Sequence, residues 1–182
     1  MVCSGHILCN LAVQDMTMKE IITDYTAYNV WANRKLMQDV MQLTPEQINA
    51  EVQGSFSSIR KTIYHIWDAQ IIWLSRIQGA SPTGWPSATY GDDFAGFDLY
   101  FIQQSEDIHR FVSTRPETFF DDMCFYRNLN GDQLQTRNAE IILHCMNHST
   151  FHRGQVITYM RQAGITELPH TDFIFYTRER SL

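Results

Sequence analysis

Residues 138–163 read NAEIILHCMNHSTFHRGQVITYMRQA, a stretch without proline whose pattern predicts one long helix. Asn138 is of a type preferred at a helix N-cap. Gly164, directly after the stretch, is typical of the position beyond a helix end, where the left-handed conformation favours glycine. The segment therefore predicts a helix of about seven turns, and the rest of the fold must pack around it.

Three histidines recur at every fourth residue of this helix: His144, His148 and His152. At about 100° of rotation per residue, they lie in one sector about 80° wide. The same sector holds Ile141, Cys145, Val156 and Tyr159. We therefore expect the imidazoles to face the core, where an unpartnered polar group costs free energy. A shared divalent cation would partner several imidazoles at once.

The spacing limits which histidines can bind the same ion. Side chains four residues apart are neighbours on a helix, whereas His144 and His152 are separated by about 12 Å of helix rise. One adjacent pair, His144 with His148 or His148 with His152, can therefore bind an ion. A third ligand must come from another helix, and His65 lies in the middle of an earlier helical stretch. Imidazole ligands favour Zn, Ni, Fe or Cu, and three neutral ligands leave a coordination position for chemistry.

Three further stretches repeat apolar residues at intervals of three and four, as amphipathic helices do. They cover residues 17–42, 58–78 and 97–114, the second with a cap at Ser57 or Ser58. Residues 79–96 contain four glycines and two prolines and predict a connecting loop. Four long helices with no run of strands predict an all-α four-helix bundle.

Shorter elements are predicted between and after the long helices. Thr44-Pro45 is typical of a helix start. Residues 123–136 predict a small β-hairpin before the last long helix, because Asn130-Gly131 suits the positive φ angles of a type I′ turn. Residues 172–176 predict a short final helix.

Composition excludes several classes of protein. Fourteen Lys and Arg against 20 Asp and Glu give a net charge of -6, which disfavours nucleic-acid binding. Four cysteines without a CxxC pair fit a reducing cytoplasm, and no apolar run is long enough to span a membrane. We expect a soluble cytoplasmic protein, with residues 1–15 as an N-terminal extension whose order the sequence does not indicate and residues 16–182 as a single domain.

Four segments together resemble a known family. They are YNVWANRKL (28–36), SIRKTIYHIWDAQIIWL (58–74), NHSTFHRGQV (147–156) and DFIFYTRE (172–179). The chain resembles the DinB-like family of helical-bundle metalloproteins, which includes YfiT-type hydrolases and thiol-dependent S-transferases. The resemblance extends over about residues 16–180.

The resemblance implies a ligand set and an architecture. Its metal ligands correspond to His65, His148 and His152. It also implies an up-down-down-up four-helix bundle, a divalent transition metal such as Zn, Ni or Fe, and a homodimer. His144 is then expected either to support a ligand or line the pocket, or to be a buried hydrogen-bonded histidine. Gln155 is expected to hydrogen-bond a ligand, bound water or substrate.

Four other side chains have expected roles. We interpret Asn33 either as a polar pocket residue or as a helix-packing residue. Arg153 points away from the histidine sector, and we interpret it as forming a surface or interhelical salt bridge in preference to contacting a substrate anion. Gly154 predicts a close helix contact, and Asp68 predicts either a partner for an imidazole or a solvent-facing carboxylate.

Two classes of function are consistent with these residues. The first is a metal-dependent enzyme acting on a small molecule, either a hydrolase that uses metal-bound water or an S-transferase that uses a low-molecular-weight thiol. No Glu accompanies the histidines as in HExxH, which argues against a peptidase. The second is a non-catalytic metal-binding module for stress response or dimerisation.

Overall fold

The structure is a computed structural model that describes residues 15–90 and 94–181. Its helices are α1 (Met18–Val40), α2 (Pro45–Asn49), α3 (Ile59–Ile77), α4 (Phe97–Ser113), α5 (Asn138–Gln162) and α6 (Phe173–Glu179). Strands β1 (Met123–Arg127) and β2 (Gln133–Arg137) form an antiparallel pair, and short 3₁₀ turns span Pro86–Thr89 and Glu117–Phe120. Apart from Asp15, the predicted N-terminal extension lies outside the described residues.

The protein is mostly helical, and its four long helices pack side by side. α1 contacts α4 and α5, and α3 contacts the same two helices. The largest apolar cluster lies between them and includes Leu36, Ile63, Phe97 and Val156, all fully buried. Because α5 packs against both α1 and α3, two of its faces are buried.

Local sequence signals begin and end the helices as predicted. The Thr17 hydroxyl accepts a hydrogen bond from the Glu20 amide, and the Glu20 side chain accepts one from the Thr17 amide. Ser58 caps α3 in the same way through the Lys61 amide. Gly79 and Gly164, after α3 and α5, have φ angles of 89° and 86°, which only glycine adopts readily.

The start of α5 differs from the prediction. Asn138 does not cap the helix: it is the first helical residue, Arg137 occupies the cap position, and no side chain bonds the free amides there. The side-chain nitrogen Nδ2 of Asn138 instead donates to the Phe119 carbonyl at 2.9 Å. A tertiary contact therefore orients the side chain through its nitrogen, and the side-chain oxygen, which would have made the local cap, is buried without a hydrogen-bond partner.

The hairpin is present, but its turn is not type I′. Gly131 has a φ of 90°, and Asn130 cannot have the positive φ that type I′ requires, because no described non-glycine residue does. Arg127 pairs with Gln133, so the loop contains five residues. The Asn128 side chain accepts hydrogen bonds from the amides of Asn130 and Asp132, both at 2.9 Å, and so stabilises this longer loop.

No helix in the described ranges combines the length and apolar character needed to cross a bilayer.

Candidate metal centre

Three histidines from two helices meet where α3 packs against α5. His65 lies in α3, and His148 and His152 lie one turn apart in α5. Each offers a ring nitrogen that lies within 4.8 Å of the others. The Nε2 atoms of His65 and His148 are 3.0 Å apart. The structure therefore brings together the three residues that the sequence proposes as ligands.

Aromatic side chains from the loops cover this cluster. The Phe56 ring lies 4.2 Å from the His65 ring and 5.6 Å from the His152 ring, measured between centroids. Trp85 approaches His65 from another side at 5.8 Å. His152 is buried, and His65 and His148 are half-buried. These rings exclude much of the water from the imidazoles and restrict their motion.

A neighbouring amide orients one imidazole. The distance between His152 Nδ1 and Gln155 Oε1 is 2.7 Å. Because an amide oxygen only accepts hydrogen bonds, His152 donates from Nδ1 and keeps a lone pair on Nε2. Gln155 in turn donates to the Ser55 hydroxyl at 3.3 Å. Such contacts behind a ligand fix its tautomer in metal sites.

Burial keeps the three imidazoles neutral. Together with the smaller effect of nearby histidines, burial lowers the pKa of His148 to about 3 and that of His65 to about 4. Burial also lowers the pKa of His152, although its hydrogen bond to Gln155 opposes the shift. At neutral pH each ring therefore has an unprotonated nitrogen with a free lone pair.

The donor set fits a divalent ion. Zn–N bonds of about 2.0–2.1 Å at a tetrahedral ion would separate two nitrogens by about 3.4 Å, between the closest separation of 3.0 Å and the 4.8 Å limit. His148 Nδ1 is buried without a hydrogen-bond partner. Without an ion, two neutral rings at this distance can form a hydrogen bond only if one Nε2 carries a proton and donates it to the other. A shared ion would instead accept a lone pair from both His65 and His148.

The prediction that His144 faces the core is wrong. His144 is exposed, and its ring lies 5.8 Å from the His148 ring and edge-on to Trp73 at 5.1 Å. Partial burial against these rings lowers its pKa. His144 lies at the edge of the histidine sector, where α5 leaves the interior, so it borders the cluster without joining it.

Asn33 and Arg153 form a second buried polar group. Arg153 is 1% exposed, so it occupies the interhelical one of its two predicted positions, but it makes no salt bridge with any described carboxylate. It donates to the side-chain oxygens of Asn29 at 2.6 Å, Asn33 at 3.0 Å and Thr150 at 2.8 Å. Asn33 also donates to Ser105. Asn33 therefore has the packing role, one of its two predicted alternatives, and joins α1 to α4 and α5.

Asp68 and Gly154 also differ from expectation. Asp68 is buried, and its two oxygens accept from the Ser87 amide and hydroxyl at 2.7 and 2.6 Å. It anchors the 79–90 loop and contacts neither an imidazole nor bulk solvent. A Cβ at Gly154 would meet nothing within 4 Å, so no helix approaches closely there. Cys145, which shares the histidine sector, is 3% exposed, and burial raises its pKa to about 12.

A pocket of about 310 Å³ opens beside the cluster. Its lining includes His65, His148, Trp73, Arg76, Trp85 and Leu129. Sequence reasoning predicted the hairpin that carries Leu129 but had no signal for its approach to α3, so it missed Arg76 as a pocket residue.

The fold and the cluster define a class: a mostly helical protein in which three histidines could hold a metal ion. The chain belongs to the DinB family, whose model matches residues 16–180. It is 26% identical over 156 residues to the protein DinB of Bacillus subtilis (strain 168), covering 82% of this chain and 89% of that protein.

Two solved structures have a similar fold. A DinB-like protein from Bacillus cereus ATCC 10987 matches with a TM-score of 0.58 and 20% identity, covering 82% of this chain and 94% of that one. A DinB-like protein from Bacillus subtilis, YjoA, matches with a TM-score of 0.55 and 13% identity, covering 85% and 97%.

Proposed function

We propose that the protein is a metal-dependent enzyme in which His65, His148 and His152 hold one divalent transition-metal ion, such as Zn, Ni or Fe. The observation that carries the proposal is the convergence of three neutral imidazoles, two of which, His65 and His148, also line a pocket. A divalent ion there would supply positive charge that lowers the pKa of a bound water or thiol. A pocket beside the cluster favours catalysis over a purely structural metal site.

The pocket lining favours thiol transfer over hydrolysis. No carboxylate lines it among the described residues. Hydrolysis is assisted by a group that accepts a proton from the attacking water, whose ordinary pKa is about 15.7. A thiol has an ordinary pKa of about 8.5 and loses its proton on binding a metal without a separate base. We therefore propose an S-transferase that joins a low-molecular-weight thiol to a small electrophile.

Hydrolysis is the second candidate because of His144. This exposed imidazole lies beside His148 and has a lowered pKa, so it is neutral at pH 7 and can accept a proton. If the protein is a hydrolase, His144→Ala should reduce hydrolysis while metal content remains unchanged.

Metal content tests the ligand set. Protein purified without chelator should contain about one ion per chain by mass spectrometry. His148→Ala and His65→Ala should lose it, whereas His170→Ala, at an exposed tail position, should retain it. Equal metal content in wild type and His148→Ala would refute the site.

Activity assays separate the two chemistries. Glutathione, bacillithiol or mycothiol is incubated with monochlorobimane, and ester hydrolysis is followed separately. We expect thiol conjugation that requires both His148 and metal. Metal-dependent ester hydrolysis without conjugation would favour the second candidate, and neither activity would favour a non-catalytic metal-binding module.

The remaining expectations concern assembly and location. We propose a cytoplasmic homodimer with an up-down-down-up four-helix bundle in each subunit. The mutual contacts of α1, α3, α4 and α5 support the bundle. Light scattering after size-exclusion chromatography should give twice the mass of one chain; the mass of one chain would contradict the dimer.

A further inference from the structure

Arg76 is a buried cation without an anionic partner among the residues that the structure describes. It lies in the last turn of α3 and is 6% exposed. No carboxylate in the described segments pairs with it, and its Nε is buried without a hydrogen-bond partner. Burying a charged group is costly unless it is paired. Arg76 therefore differs from Arg153, whose guanidinium donates three hydrogen bonds to neighbouring side chains.

Two aromatic rings hold the Arg76 guanidinium. Its central carbon lies 4.4 Å from the Trp73 ring centroid and 4.9 Å from that of Tyr126. Cation–π contacts of this kind use the faces of a guanidinium, whereas its N–H donors lie in the plane. The rings therefore stabilise the cation without satisfying its donors. Arg76 also lines the 310 Å³ pocket beside the histidines.

The rest of the pocket indicates what kind of anion would fit. Ile72, Trp73, Trp85 and Leu129 give it an apolar wall with two aromatic rings, and the hairpin loop adds two neutral asparagines. Arg76 is the sole arginine or lysine in the described lining. One cation balances one negative charge, so a phosphate monoester would retain excess charge in an apolar site. The volume is at the lower end of the range for small-molecule sites.

We infer that this pocket binds a small monocarboxylate with a flat apolar body, and that Arg76 binds its carboxylate. A guanidinium matches a carboxylate through two parallel N–H···O hydrogen bonds. His65 and His148 line the same pocket, so the inference rests on the proposed function and names the class of its small-molecule substrate. Arg76 is then a specificity-determining residue, on the helix that carries His65.

Calorimetric titration with benzoate tests this inference. Benzamide, its neutral analogue of nearly the same shape, is the matched ligand. Metal is first removed by dialysis against EDTA, so that a carboxylate cannot bind to an ion. Wild type should bind benzoate at least about tenfold more tightly than benzamide, and Arg76→Met should remove that preference. Phenyl phosphate should bind more weakly than benzoate.

A second arginine provides the matched control. Arg115 stacks on the Phe111 ring at 4.4 Å, outside the pocket lining, so Arg115→Met removes a similar contact and should leave benzoate binding unchanged. Arg76→Lys keeps the charge without the planar donors and should bind benzoate with intermediate affinity. If Arg76→Met does not fold, this variant still tests the inference.

The outcomes separate this inference from the metal proposal. Benzoate binding that survives both Arg76 substitutions, or no preference for benzoate over benzamide in wild type, would overturn the inference. Tighter binding of phenyl phosphate would overturn the assignment to a monocarboxylate. If zinc fails to bind while Arg76-dependent benzoate binding persists, the metal centre fails and the carboxylate site stands.

Discussion

Two glycines provide a matched test of how the loop before α3 supports the histidine cluster. An added Cβ at Gly54 would lie 1.7 Å from the Tyr159 hydroxyl oxygen, whereas one at Gly154 would meet nothing within 4 Å. Tyr159 is 3% exposed, so its ring cannot move freely into solvent. Gly54→Ala must therefore displace either the buried ring or the loop backbone, at a cost typical of overpacking, about 1–3 kcal/mol.

The same loop carries two contacts of the cluster. Ser55 accepts the hydrogen bond from Gln155, and Phe56 stacks on His65. Displacing the loop should therefore also weaken metal binding. Gly154 lies at an exposed helical position, where alanine is favoured over glycine by about 1 kcal/mol. We expect Gly154→Ala to stabilise the protein and to leave metal binding unchanged.

Urea denaturation followed by circular dichroism, with metal removed, measures both effects. The two variants should differ in unfolding free energy by about 2–4 kcal/mol, from the sum of the two estimates. Zinc affinity is then measured by competition with a chromophoric chelator. A Gly54→Ala protein with wild-type stability and zinc affinity would refute this account of the loop, and a destabilised Gly154→Ala would refute the open space at that position.

Three further predictions concern the cluster and its surroundings. Metal-free protein should lose stability as the pH falls below about 6.5. In the folded protein His148 and His65 have pKa values of about 3 and 4 and stay neutral, whereas in the unfolded chain they bind protons, which favours unfolding. After allowance for their partial exposure, the loss at pH 5 is about 1 kcal/mol for each histidine, and equal urea midpoints at pH 7 and pH 5 would contradict it. Gln155→Leu should weaken zinc binding by about 10–100-fold, because it removes the acceptor that orients His152. Gln155→Glu keeps an acceptor oxygen and should retain most of the affinity. Equal zinc affinities of wild type and Gln155→Leu would count against this role. Cys145 should react with a thiol reagent at neutral pH only after unfolding, as mass mapping of the labelled peptide would show, and labelling of the folded protein would contradict its burial.

Local signals predicted the helices well because the groups involved are close in sequence. A hydroxyl at Ser58 reaches an amide three residues later, and glycine at 79 permits the conformation that ends α3. Local reasoning was wrong where a distant group competed. The Phe119 carbonyl binds the nitrogen of the Asn138 side chain, so that the side-chain oxygen does not cap α5. The Asn128 side chain favours a longer hairpin loop than Asn130-Gly131 predicts.

Arg153 shows a different limit of sequence reasoning. A charged residue opposite a histidine sector predicts solvent exposure when one face of the helix is buried. α5 packs against α1 as well as α3, so both faces enter the interior. Asn29 and Asn33, more than 100 residues earlier in the chain, supply the oxygens that make the burial possible. No local pattern contains that pairing.

The sequence by itself determined the helices, the hairpin and the spacing of His148 and His152, because periodicity and capping act within a few residues. Only the tertiary structure decided that His65, 83 positions before His148, brings its ring nitrogen to 3.0 Å from that imidazole. It also decided that the terminal nitrogens of Arg153 find three acceptors inside the protein, whereas Arg76 packs between aromatic rings. A helix pattern specifies which face is apolar, whereas the neutral state of an imidazole and the partners of a buried cation depend on groups that other elements place opposite it.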